Sequence, residues 1–105
     1  MSEAPYEGID RRVLTTPEAT VQEYRFGPGA QFPIHHHPQE QITVVLDGDV
    51  IFSARGERRS LGPGEWSVVE GGVPHGVTAG GSGARFLAIL VPARNASRNV
   101  HLTQI

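Results

Sequence analysis

Residues 35–50 read HHHPQEQITVVLDGDV. Successive side chains of a strand point to opposite faces, so in an extended chain His35 and His37 share one face and His36 takes the other. Pro38 breaks that segment. Ile42, Thr43, Val44 and Val45 then form a β-branched run suited to a pleated, half-buried surface. Gln41, Thr43 and Val45 share a face. Glu40 and His36 are expected to face the outer surface or a partner subunit. Asp47-Gly48 reads as a hairpin turn, because glycine accepts the positive φ that a tight turn needs.

Outward from this stretch the same pattern repeats. Runs rich in Val, Ile, Thr, Phe and Tyr predict strands over 11–15, 20–26, 31–37, 41–47, 49–54, 58–61, 65–70, 74–79 and 84–91. Gly27-Pro28-Gly29 and Gly62-Pro63-Gly64 break them, and Gly80-Gly81-Ser82-Gly83 reads as a flexible connection. No amphipathic helical stripe exceeds a couple of turns. The expectation is an all-β sandwich or barrel in a single domain, 1–105, with its core over about 20–92. The polar ends, 1–10 and 95–105, read as loosely held.

Composition removes several chemistries. The nine basic residues are all arginine, so no lysine is present for a Schiff base. There is no cysteine, hence no thiolate nucleophile, disulfide framework or thiolate metal site. Eleven acidic residues give a formal charge of −2, which argues against a nucleic-acid partner. No apolar run is long enough to span a membrane, and the acidic start MSEAPYEGID does not read as a signal peptide. The cytoplasm is the expected compartment.

Two imidazoles two positions apart on a strand can close on one metal ion. Gln41, at the start of the next strand, offers a neutral amide oxygen. A further donor must come from elsewhere, and His75 in VPHGV is the other strand histidine, His101 lying in the tail. By parity Gln31 falls on the face of His35 and His37, which makes it the expected polar neighbour in the cavity. Glu40 replaces Gln41 only through a one-residue register slip that flips the strand.

The spacing Gly29, five residues, His35, one, His37, three, Gln41, six, Gly48 resembles the first cupin motif, with Gln41 in place of the usual glutamate. Gly64, five residues, Glu70, one, Gly72, two, His75 resembles the second, with Glu70 in place of a proline and Ala79 in place of an asparagine. The resemblance implies a cupin-type jelly-roll barrel with a metal held inside by His35, His37, Gln41 and His75. Together with PGEW and VPHG, the opening stretch resembles the short single-domain cupins that linearise unsaturated uronates in pectin and alginate breakdown. Pro92-Ala93-Arg94 after the last apolar run belongs to that likeness. That family carries an aspartate on its last strand; Ala88 stands there, and no Asp or Glu follows Glu70. Small cupins that act as polyketide cyclases, or as sugar and nucleoside isomerases and dehydratases, are similar to the same degree.

Three imidazoles and one amide are all neutral, so the full charge stays on a divalent ion and strengthens it as a Lewis acid. Zn, Ni, Fe, Mn and Cu are the candidate ions. The function expected is a metal-dependent isomerase, lyase or cyclase acting on a carbonyl or hydroxyl of a sugar-like or polyketide-like small molecule. Glu70 is the candidate base, and Arg94 the candidate bidentate partner for a substrate carboxylate, ahead of Arg25 and Arg85. Trp66, Phe52, Tyr24 and Phe86 are candidates to line the pocket. The competing readings are an iron-dependent dioxygenase and a non-catalytic ligand-binding or sensor module. A homodimer is expected, because free sheet edges and outward apolar residues such as Ile34, Ile42 and Val44 need cover; 100–105 reads as an added edge strand.

Overall fold

Two long strands organise the molecule. The computed structural model describes residues 2–94, and among them there are eight strands and no helix. The strands are β1 (Ser2–Tyr6), β2 (Ile9–Thr15), β3 (Thr20–Phe26), β4 (Gln31–His35), β5 (Glu40–Ala54), β6 (Glu57–Leu61), β7 (Trp66–Val69) and β8 (His75–Val91). Every pairing is antiparallel. The first half of β5 pairs with β7 and with the second half of β8. The second half of β5 pairs with β6 and with the first half of β8. β3, β2 and β1 extend one side of this frame and β4 extends the other, through β8. Two sheets continuous through their longest strands, folded face to face, make a jelly-roll barrel.

The bend falls where the sequence suggested separate strands. Asp47-Gly48 does not close a hairpin, and Gly80 to Gly83 do not form a flexible connection; β5 and β8 run through both. Register shifts flank Gly48 on either side, which marks a bulged bend within a ladder. Gly48 has φ +73°, and a Cβ there would lie 2.0 Å from the Gly83 carbonyl oxygen. A turn and a bulge both demand positive φ, so the dipeptide alone does not separate them. The partner strand decides, because β8 carries its own glycines at the same level.

β3 spans the residues expected of it. Its alternation, with Thr20, Gln22, Tyr24 and Phe26 buried, puts one face into the barrel. Phe86 of β8 fills the centre, stacked on Tyr24 at 5.2 Å and tilted against Phe26 at 5.0 Å. Ile9, Val45, Val50, Phe52, Leu61, Val77 and Ala88 complete the core. The N-terminal residues are not loosely held: β1 and β2 form an antiparallel pair around Glu7-Gly8. The tail over 95–105, with His101 and the expected edge strand at 100–105, lies outside the described residues.

Candidate metal centre

β4 brings His35 to the barrel interior, but not by the parity the sequence suggested. The β4–β8 register shifts between Phe32 and His35, and β4 ends at His35. This irregularity at Pro33-Ile34 puts Phe32 and His35 on one side, their rings 4.6 Å apart. Gln31 is consequently exposed and does not reach the cleft, which corrects its expected place in the cavity. His37 follows in the connection, where the Gly72 N–H donates to its carbonyl at 2.8 Å. Gly71 permits that approach, since a Cβ there would lie 2.1 Å from the Pro38 carbonyl oxygen. Gln41 is the second residue of β5 and His75 opens β8, both facing inward.

The three imidazoles meet. Ligand atoms of His35, His37 and His75 all lie within 4.8 Å of one another. Each ring is oriented by a backbone carbonyl that accepts from Nδ1: Pro33 for His35 (2.8 Å), Gln39 for His37 (3.0 Å) and Val73 for His75 (2.9 Å). Each Nε2 is left with its lone pair. Burial holds His35 and His37 below the ordinary histidine value and pushes His75 down to about 4. All three are therefore neutral near pH 7, the form that ligates a metal.

Gln41 completes the set. Its Nε2 donates to Thr43 Oγ1 at 2.9 Å, which turns Oε1 toward the histidines. Oε1 lies 3.1 Å from His37 Nε2 and 3.2 Å from His75 Nε2. Three acceptor atoms facing one another without a proton between them repel, and a cation relieves that repulsion. The donor set thus fits a borderline divalent transition ion, nitrogen-rich and with one neutral oxygen. Phe52 stacks behind His75 at 5.9 Å and dries its outer side.

The cleft above these atoms is walled by Arg11, Gln22, Tyr24, Phe32 and Arg94, among others. The Arg94 backbone N–H donates to Thr20 Oγ1 at 2.7 Å, and this ties the chain after β8 to β3. Arg94 is near enough for its charge to oppose protonation of His35 and His37. Arg11 Nη1 donates to Tyr24 Oη at 3.2 Å. No Asp or Glu among the described residues lines this cleft.

Other candidates lie elsewhere. Glu70 is exposed and pairs with Arg55 on the outside, so it does not face the centre as a base would. Arg25 and Arg85 point outward and pair with Glu23. Trp66 is an exposed residue of the outer face. Arg11 and Gln22 were not singled out from sequence. The available signal was parity: each is a polar residue on an inward face, Arg11 between Ile9 and Val13, and Gln22 between Thr20 and Tyr24.

A jelly-roll barrel with a histidine cluster under an open cleft defines the class. Residues 22–91 match the cupin domain model, and the chain belongs to the cupin family. KdgF from Halomonas sp. is 26% identical, with a TM-score of 0.84 over 92% of this chain and 90% of its own. An RmlC-like cupin from Shewanella frigidimarina is 24% identical, with a TM-score of 0.83 over 92% and 87%. A single-site variant of oxalate decarboxylase from Bacillus subtilis is 19% identical with a TM-score of 0.85, this chain covering 29% of that protein. The last two likenesses speak to the fold alone. Comparison with curated proteins gave no match.

Proposed function

We propose that the protein is a metal-dependent enzyme that isomerises a small sugar acid by opening its ring. The observation that carries this reading is the convergence of three Nε2 atoms and Gln41 Oε1 beneath a cleft that contains two arginines. The sequence resemblance to uronate-linearising cupins and the structural likeness to KdgF support it.

His35, His37, Gln41 and His75 hold the ion. When bound, it supplies Lewis acidity toward a carbonyl or hydroxyl oxygen. Arg94 and Arg11 receive the substrate carboxylate, for which the guanidinium fork is shaped. The proton-handling atom is Tyr24 Oη, which Arg11 holds in place. It gives its proton to the ring oxygen as the ring carbon–oxygen bond breaks, and regains one from the hydroxyl that becomes the carbonyl. No proton is gained or lost overall. Tyr24 thereby takes the role that Glu70, on the outer surface, is not placed to fill.

The test joins elemental analysis to turnover. Tag-free protein is expected to carry one divalent transition ion per chain. With the unsaturated uronates released by pectin and alginate lyases, proton NMR is expected to show loss of the ring signals. Saturable binding without turnover replaces this reading with a ligand-binding module. Oxygen uptake with Fe(II) replaces it with a dioxygenase.

A further inference from the structure

Gln22 stands on the inward face of β3 with 4% of its surface exposed, and what remains opens on the cleft. In register it lies opposite Ala88, which lies opposite Thr43. Thr43 already accepts from Gln41 and so orients a ligand of the centre. Only the methyl group of Ala88 separates Gln22 from that rung. Unlike Gln41, the Gln22 amide forms no hydrogen bond among the described residues. Its polar atoms open on the cleft, where water holds them in the free protein and a ligand can take them over.

An amide offers a donor and an acceptor side by side. It matches a hydroxyl, which gives and receives, better than a carboxylate, which at neutral pH only receives. The arginines of the same cleft suit the carboxylate. The wall opposite the histidines is thus divided between groups that read charge and one group that reads a neutral oxygen.

We propose that Gln22 is the specificity-determining residue of this cleft, exchanging hydrogen bonds with a ring hydroxyl of a sugar acid. The assignment rests on the sugar-acid reading above and adds to it the group that separates a hydroxylated acid from an unhydroxylated one. A site built to hydrogen-bond a hydroxyl rejects the analogue that lacks it, because its own polar group is then left unpaired.

The test uses two probes. Galacturonate carries a carboxylate and ring hydroxyls; cyclohexanecarboxylate has a similar ring and charge without hydroxyls. Both are titrated calorimetrically into metal-loaded wild type, Gln22→Leu and Gln22→Met, with the metal content of each protein measured alongside. Either variant is expected to bind galacturonate about tenfold more weakly, to bind cyclohexanecarboxylate at least as well, and to hold as much metal. Galacturonate affinity within twofold of wild type in the variants overturns the assignment alone, as does an equal loss for both probes. Loss of metal in both variants makes Gln22 a structural support of the centre and also overturns it. Failure of the wild type to bind galacturonate overturns the sugar-acid reading and the assignment with it.

Discussion

Gln41 Oε1 lies 3.2 Å from His75 Nε2, although 34 positions separate the two residues. Neither atom brings a hydrogen to the contact. His75 gives its Nδ1 proton to the Val73 carbonyl, and Gln41 spends its N–H on Thr43. Two lone pairs held face to face by partners behind them form a coordination site rather than a hydrogen bond.

The first prediction follows from that pair. His75→Ala removes the most buried donor and is expected to reduce bound metal to background in elemental analysis. Gln41→Glu brings a negative charge to the ion; it should retain or tighten metal binding while lowering turnover, because part of the ion's charge is cancelled. Full metal content in His75→Ala, or unchanged turnover in Gln41→Glu, contradicts the assignment.

Acidification separates the histidines from the carboxylates. His75 titrates at about 4 when folded and at its ordinary value of 6.5 when unfolded. Between those values the unfolded chain binds a proton that the folded chain does not. The metal-free protein is therefore at full stability above that upper value and loses about 3 kcal/mol as the pH falls to the lower one. Arg12 and Arg85 hold Glu23 below the ordinary carboxylate value. Its contribution is present above pH 4.5 and is lost only as the pH falls further. Urea unfolding of metal-free protein at pH 7.5, 6 and 5 checks the order; equal midpoints at all three would sink it.

Tyr24→Phe isolates the phenol. The ring packing on Phe86 and Phe26 survives the change, and the Oη that accepts from Arg11 is lost. Turnover is expected to fall by roughly a hundredfold or more, as for loss of a general acid–base group. Metal content should not change, and substrate affinity should change little. Retained turnover would move the proton transfer to another group.

The share of this site that was legible in sequence follows the distance over which each part is encoded. His35, His37, Gln41 and His75 stand in short motifs whose spacing is local, and the structure brings them together. β3 was legible to the residue because its alternation is unbroken from Thr20 to Phe26. Parity failed at β4, where the irregularity before His35 exchanges the faces of Gln31 and Phe32. β1 shows no period-2 pattern and contains Pro5, so its strand exists by virtue of its pairing with β2. The far wall was legible only in part: Tyr24 and Phe86 were candidates to line the pocket and do so, whereas Arg11 and Gln22 come to the same cleft only through the registers of β2 on β3 and β3 on β8.

Gly48 and Gly56 offer a controlled comparison of the bend. Both have positive φ, +73° and +75°. A Cβ at Gly48 meets the Gly83 carbonyl oxygen at 2.0 Å, whereas at Gly56 nothing lies within 4 Å. Gly56→Ala should cost about 1 kcal/mol from backbone strain alone. Gly48→Ala should cost at least about 3 kcal/mol, since β5 and β8 must separate at their crossing. Denaturant midpoints measure both, and equal losses would show that the bend is not set by close approach.

The last prediction concerns the outer face of the larger sheet. Its side chains align across five strands: Leu14, Val21, Ile89, Ile42 and Val68 form one row by register. Leu87, Val44 and Trp66 continue the next row, which ends in the ion pairs of Glu23 with Arg12 and Arg85. Leu14, Trp66 and Val68 are 63%, 63% and 54% exposed. Ile34 is exposed too, at 67%, but it lies on β4 and apart from these rows. A continuous apolar face rimmed by charge is the composition of a subunit interface, and soluble proteins rarely leave one open to water. Two copies meeting through this face about a two-fold axis would bury both rows in a self-complementary contact. Light scattering at micromolar concentration should give a mass near twice the 11.3 kDa of the chain. Val68→Glu places a charge in the middle of the first contact and should return the mass to that of one chain while leaving the metal content intact. A wild-type mass of one chain, or a Val68→Glu protein that stays dimeric, rules out this face as the interface.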